Sequence, residues 1–382
     1  MLNKDKIMIL CKVVDNYGDI GVVYRLARAL SDLKPSLELS LVVSNLSSFK
    51  KMAPEIDDGK AIQFFDYKNS SWKIIDWNIK ASSLDEDLKN PPDIILECFQ
   101  CGRPDWLEAI LFAEDFHRLV QIINIDYLTA EEYADEFHLL KSGTRKSNIK
   151  KIFFMPGFTK KTGGLIINQQ TGSAQLPSPC GKMKVFFFAY EDECPQIVQG
   201  LKDFQEKIRE SDANFAIKVF LADGKSREPF KRSWEKHGSP FEIEDLPFMQ
   251  QEDFDLFITR MDFLFVRGED SLARAALSGL PFVWQAYKQE ENYQLVKVNA
   301  LLDRMKDYFS EEDFSPLKEF WNSYNDSEKE TDSKSLTRML LSCMEGRGKG
   351  REGFKAFSQS LLENGNLAEK LLAFIDRISS DK

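Results

Sequence analysis

Short apolar runs that spill into a polar, glycine-containing turn and then into a helical pattern recur along this chain, and few folds accept that order. Ile7 to Val14 runs into Asp15-Asn16-Tyr17-Gly18-Asp19-Ile20-Gly21. From Val22 the positions Leu26, Ala29 and Leu30 repeat at helical spacing, with Arg25 and Arg28 among them. Leu37 to Val43, Asp93 to Glu97 and Leu119 to Ile125 are further strand candidates, and Trp106 to Phe116 reads as a helix. Strand, helix, strand in this order indicates a parallel sheet with crossover helices. Residues 160–182 hold KKTGG and NQQTGSAQLPSPCGK, a Gly-, Ser-, Pro- and Gln-rich stretch that interrupts the pattern as a linker would.

Beyond the break the pattern restarts. Lys184 to Phe188, Phe215 to Leu221, Met261 to Val266 and Pro281 to Trp284 read as strands. Gln196 to Ile208, Phe254 to Thr259, Leu272 to Leu277, Glu290 to Met305 and a closing amphipathic stretch, Ala368 to Ile378, read as helices. Two α/β halves of similar size, each doubly wound and facing a central cleft, are therefore expected. A length of 382 residues agrees with two domains at roughly 100–200 residues each.

Composition narrows the function classes. The formal charge of −10 disfavours general binding to nucleic acid or to an anionic membrane. The one dense basic run, RGKGR at Arg347 to Arg351, reads as a solvated loop. The first apolar run stops at Lys12, too short for a signal-peptide core of ~7–15 residues or a membrane span of ~20. The six cysteines are sparse, which fits reduced thiols in a cytoplasmic protein. Cys98 and Cys101 form a CxxC with no second pair at zinc-ligand spacing, and only three histidines occur, so no metal site is expected.

Four segments could carry chemistry. In the first, Asp15 and Asp19 place two carboxylates, with Gly18 and Gly21, outside the carboxyl end of the first strand, where open α/β sheets bind ligands. The same residues also suit a helix N-cap and a glycine turn. In the second, Val266 to Ser271 leaves a strand and opens a helix whose N–H groups could hold a phosphate. There Arg267 would neutralise the anion, Asp270 or Ser271 would cap the helix, and Glu269 would face the cleft mouth. A capped surface helix with a local ion pair explains these residues equally well. In the third, Leu246 to Asp255, Phe248 could stack on a flat base and Gln250 or Gln251 could read a ribose or base edge. The fourth, Pro281 to Lys297, spills polar residues from another strand end. No GxGxxG, GxSxG or GxxxxGK[ST] motif occurs.

Together the segments resemble one family, the bacterial protein-arginine rhamnosyltransferases of elongation factor P (EarP). The likeness runs in order through CKVVDNYGDIGVVYRLARAL, ILECFQC, INIDYLTAEEY, MPGFTKKTGGLI, FFFAYE, LPFMQQ and FLFVRGEDSLARAALSGLPFVWQAYKQEEN, from residue 8 to about residue 300. Two departures stand out: Tyr24 where the family usually has Trp, and Asp126 where Glu is usual.

The resemblance implies a GT-B glycosyltransferase with two Rossmann-like domains. It would transfer L-rhamnose, with inversion, from dTDP-β-L-rhamnose to an arginine of elongation factor P, without metal or other cofactor. Residues 1–170 would bind the acceptor, residues 171–357 the nucleotide sugar, and residues 358–382 would pack back on the first half. Asp19 would act as base, Asp15 would orient the acceptor and Glu269 would assist. Tyr190, Phe248, Gln251, Arg267, Asp270 and Ser271 would hold the donor, with Phe248 on the thymine. An ordinary carboxylate near ~4 and a guanidinium near ~12.5 differ by ~8.5 units, about 12 kcal/mol, so the proton must leave as the nitrogen bonds to carbon. Two acidic proteins would have to meet, which makes Lys160 and Lys161 candidate contacts to the acceptor. Another nucleotide-sugar enzyme of the same fold, or a non-catalytic partner of elongation factor P, are the alternatives.

Overall fold

The structure, a computed structural model, describes residues 2–14, 17–168, 181–344 and 348–380. The chain divides into two compact units, Met1–Asn168 with Asn364–Lys382, and Gln169–Glu363.

Among the described residues the first unit holds one sheet of eight strands. They are β1 (Lys6–Cys11), β2 (Glu38–Val43), β3 (Ile62–Tyr67), β4 (Ser70–Asp76), β5 (Ile94–Cys98), β6 (Val120–Ile125), β7 (Lys141–Ser142) and β8 (Ile149–Phe154). Their order is β3-β4-β2-β1-β5-β6-β8-β7. The inner six run parallel, and β3 and β7 close the edges antiparallel.

The centre of this sheet explains the unbroken apolar run at its start. Ile7, Ile9 and Cys11 point to one face, among Ile20, Val23, Leu26 and Leu30 of the helix Gly18–Leu33 and Leu371, Phe374 and Ile375 of the helix Leu367–Ser380. Met8 and Leu10 point to the other, among Trp106, Leu107 and Leu111 of the helix Asp105–Leu111. A strand covered on both faces must be apolar at every position. Full burial of each such Ile or Leu side chain contributes about 1.5–3 kcal/mol. Tyr24 is buried in this layer, edge-on to Phe49 at 5.5 Å and Trp72 at 6.0 Å, so its departure from Trp is a packing matter.

The last helix reaches this layer through a narrow crossing. Leu367 N–H donates to Leu165 O at 2.8 Å, and Asn366 Nδ2 donates to Ile167 O at 3.0 Å. A Cβ on Gly164 would lie 2.4 Å from Gly365 O, so a glycine is required at this approach. The return begins at Asn364 rather than at 358. The helix Gly350–Glu363 stays with the second unit, where Ser358 Oγ donates to Leu277 O at 2.8 Å.

His138 lies against this crossing region and gives the first unit a pH-dependent contact. Its Nδ1 accepts the Met155 N–H at 3.1 Å, and its ring meets Phe154 edge-on at 4.7 Å. Burial, then the nearby Lys370 charge, lowers its pKa from 6.5 to about 4. Between those values the unfolded chain binds the proton and the folded chain does not, so stability rises with pH. The contribution is full above about pH 6.5 and is lost progressively as pH falls towards 4. For this partly exposed ring it should amount to roughly 1–2 kcal/mol after screening. Urea melts of the wild type and His138→Gln should converge as pH falls through this window, because the variant lacks the titration.

Among the described residues the second unit's sheet holds β9 (Lys182–Phe187), β10 (Ala216–Leu221), β11 (Glu242–Asp245), β12 (Phe263–Arg267) and β13 (Phe282–Gln285). All pairs are parallel, in the order β11-β10-β9-β12-β13. Val185, Phe186, Phe187, Phe263, Leu264 and Phe265 are fully buried, the same two-sided pattern as in the first unit. Arg351 is not part of a solvated loop: its guanidinium donates to the Asp262 carbonyl at 3.3 Å and its side chain is 17% exposed. Arg347, the first residue of that basic run, lies outside the described residues. Among the described residues no helix is long and apolar enough to cross a membrane.

Candidate active site

Each sheet has one point where the strand order reverses. In the first unit the chain builds outward from β1 through β2 and β4 on one side, then restarts at β5 on the other. In the second it builds from β9 through β10 to β11, then restarts at β12. The connections leave such a pair of strands in opposite directions and open a crevice at their carboxyl ends. Asp19 lies at the first of these places, and Tyr190 and Arg267 lie at the second.

In the first unit Asp19 stands in the first turn of the helix that follows β1, where a carboxylate meets the positive end of the helix dipole. It is 4% exposed. Its Oδ2 accepts the Val14 N–H at 2.7 Å, and its Oδ1 accepts the Tyr127 O–H at 3.3 Å. Burial of a carboxylate is costly unless both oxygens are met, and here both are. The strands bring Tyr127 there: β6 ends at Ile125, beside Cys98 at the end of β5. Tyr127 stacks on Phe99, with ring centroids 4.5 Å apart and planes at 21°. Asp15 lies outside the described residues. Lys160 and Lys161 are exposed.

In the second unit Arg267 is the last residue of β12. Its guanidinium sits 4.6 Å from the ring centre of Phe188 and 4.6 Å from that of Tyr190. Its Nε is buried without a hydrogen-bond partner, and among the described residues no carboxylate pairs with it. A cation held by two aromatic faces keeps its donors for an incoming anion. Tyr190 is itself fixed, its N–H donating to Gln285 Oε1 at 2.7 Å while Gln285 Nε2 donates to Asp192 Oδ2 at 3.3 Å.

The helix after β12 begins earlier than the sequence implied. Its N-cap is Gly268, at φ 70°, and neither Asp270 nor Ser271 caps it. Glycine tolerates this left-handed geometry and leaves the first N–H groups uncovered by any cap side chain. Trp284 Nε1 donates to Gly268 O at 3.1 Å and anchors the cap. Glu269, Asp270 and Ser271 occupy the first turn, all half-buried. Asp270 Oδ1 lies 4.0 Å from the Nε of buried Arg274, so part of its charge is balanced from within the helix. Phe248 is 47% exposed, just beyond the end of β11. Gln251 opens the helix Gln251–Ile258, which starts ahead of the expected Phe254 because Gln250 is still extended.

The structure thus brings Tyr190, Arg267 and the Glu269–Ser271 turn to one switch point and sets Phe248 and Gln251 beyond β11, three strands from β12. Tyr127, Phe99 and Gln285 join these places through strand pairing rather than through any motif. An aromatic residue just past a strand end was the available signal for Tyr127. Gln285 gave none, since its role depends on pairing between β12 and β13. Among the described residues no three His, Cys, Asp or Glu side chains gather to hold a metal ion.

Two units, each built on a doubly wound, mostly parallel sheet, have the architecture of the GT-B class of glycosyltransferase. The chain's matches narrow that class. A family model described as "Elongation-Factor P (EF-P) rhamnosyltransferase EarP" matches residues 7–376, and the chain belongs to this family. It is therefore a rhamnosyltransferase.

Relatives agree. A "Protein-arginine rhamnosyltransferase" of Neisseria meningitidis serogroup B is 27% identical over 97% of this chain and 96% of its own length. One from Pseudomonas putida is 30% identical over 83% of this chain and 86% of its own. A solved structure described as "Structural basis for EarP-mediated arginine glycosylation of translation elongation factor EF-P" superposes with a TM-score of 0.57 at 19% identity, over 97% of this chain and 99% of that one. That likeness supports the fold.

Proposed function

We propose that the chain transfers L-rhamnose from dTDP-β-L-rhamnose to an arginine side chain of elongation factor P, with inversion at the anomeric carbon, in the cytoplasm. The arginine nitrogen forms its bond to the sugar carbon as that carbon's bond to the diphosphate oxygen breaks. The nitrogen gives its proton to Asp19, and dTDP leaves with the bonding electrons. The observation that carries this reading is the Asp19 carboxylate, buried at a switch point with both oxygens held. Asp15 steadies the incoming guanidinium, and Glu269 grips a hydroxyl of the sugar or the acceptor.

The donor belongs to the second unit. Arg267, the backbone at Glu269–Asp270 and Ser271 meet the diphosphate, assisted by Tyr190. Phe248 stacks on thymine and Gln251 contacts the nucleoside. The separation suits this: β11 lies three strands from β12, about 14 Å at ~4.8 Å per strand. That distance accommodates a base at one end and a diphosphate at the other. Fixed dipoles and one arginine aimed at the leaving charge supply the main stabilisation, and no divalent cation is given a role.

Incubation with dTDP-rhamnose and elongation factor P, read by intact mass, tests the reading. The expected result is a gain of one deoxyhexose on arginine, undiminished by EDTA. Transfer to a small-molecule acceptor instead would identify a different nucleotide-sugar enzyme. A complex with elongation factor P and no donor binding by calorimetry would identify a non-catalytic partner.

A further inference from the structure

Two consecutive residues with side chains, Phe99 at φ 59° and Gln100 at φ 51°, occupy the left-handed region directly after β5. L-residues avoid that region, so their surroundings must hold them there. The holding groups are all at the end of β6. Phe99 N–H donates to Ile125 O at 2.7 Å, and Gln100 N–H donates to Asn124 Oδ1 at 3.2 Å. Gln100 Nε2 donates to Asp126 Oδ2 at 2.8 Å, while Asp126 Oδ1 accepts the Tyr127 N–H at 2.8 Å. Asn124 is fully buried and its Nδ2 has no hydrogen-bond partner. The amide oxygen of this buried side chain is spent on the Gln100 N–H of the turn.

The strained turn therefore serves what it positions. Phe99 stacks on Tyr127, and Tyr127 O–H reaches Asp19. We propose that Gln100 is a positioning residue for rhamnosyl transfer. Through Asp126 it clamps Tyr127 from one side while Phe99 supports the ring, and the clamped phenol fixes the orientation of the Asp19 carboxylate. The inference rests on the reading of Asp19 as the base. A long bond such as the 3.3 Å contact to Asp19 is readily lost if its donor swings, and small misplacements of a reacting group are costly in rate.

Gln100→Gly separates the clamp from simple folding, because glycine accepts the left-handed backbone while removing the link to Asp126. Its melting temperature should not fall, its affinity for dTDP-rhamnose should be unchanged, and its kcat should drop about tenfold. Gln100→Lys, whose ammonium can reach the Asp126 carboxylate, should recover most of that kcat. Amide hydrogen exchange at residues 126–128, measured without substrates, should quicken in Gln100→Gly and return towards the wild-type rate in Gln100→Lys. A wild-type kcat in Gln100→Gly, or equal slowing in both variants, would overturn the proposal. Should the wild type itself fail to modify elongation factor P, the function assigned above fails, and exchange still decides the clamp: unchanged exchange in Gln100→Gly refutes it, faster exchange upholds it.

Discussion

Asp19→Asn is expected to lower kcat by about 10²–10⁴-fold while leaving the affinity for dTDP-rhamnose unchanged. The substitution keeps size and shape. An amide oxygen can still accept the Val14 N–H now held at 2.7 Å, so that contact should survive. What disappears is the negative charge and the site for the departing proton. A guanidinium is too weak an acid for an ordinary carboxylate to deprotonate in advance, by about 12 kcal/mol. In the proposed mechanism the carboxylate acts while the nitrogen is bonding to carbon and becoming acidic, after it has attracted the cationic side chain. Both actions need the charge and neither involves the donor. Single-turnover rates with donor and acceptor saturating, beside calorimetry with the donor alone, separate the two quantities. A kcat within about threefold of wild type, with donor still bound, would remove Asp19 from the role of base.

The topology of each half was legible because its central strands are covered on both faces. Ile7 to Cys11 and Val185 to Phe188 carry continuous apolar runs for that reason, and each leads on to polar residues beyond its carboxyl end. The edge strand β3 and the penultimate strand β8 were not legible. Ile62–Tyr67 reads IQFFDY, half exposed, with polar residues breaking its alternation, and Ile149–Phe154 has two lysines inside it. The helices Arg227–Lys236, Glu311–Asn325 and Ser333–Ser342 were also passed over, since their apolar stripes are narrow and one contains Pro316. At the candidate site, residue type alone nominates acidic residues after a strand and Arg-Gly before a helix. Residues that act through geometry were not. Nothing in Phe-Gln following Cys98 signals two left-handed residues, because the contacts that impose them come from β6, brought alongside by strand pairing. The N-cap at Gly268 was missed for a related reason. Asp and Ser are favoured caps by propensity, and the φ of 70° that puts Gly268 at the cap depends on the path of the chain out of β12, which residue type alone does not show.

Arg267→Ala should lower kcat/KM by about 10²–10³-fold, and Arg267→Lys should restore little of it. The guanidinium lies against two aromatic rings, each 4.6 Å from its centre, so its plane is set before any ligand arrives. Its buried Nε has no partner, and a buried unsatisfied donor costs roughly 1–3 kcal/mol. An anion that accepts from it would relieve that cost, and it would matter most when the bond to the sugar breaks and the diphosphate gains charge. Lysine keeps the charge but not the plane, the fork of donors or the stacked contacts, so the leaving group would meet a mobile point charge. Stability should change far less than activity. The stacked contacts contribute about 0.5–2 kcal/mol, and removing a strained donor offsets part of that loss. Gly268, with Trp284 Nε1 on its carbonyl, keeps the helix start in place in either variant. The measurements are kcat/KM for the donor and the thermal midpoint of each variant. If Arg267→Lys kept kcat/KM within about twofold of wild type, a positive charge alone would suffice and the stacked geometry would have no part in holding the diphosphate.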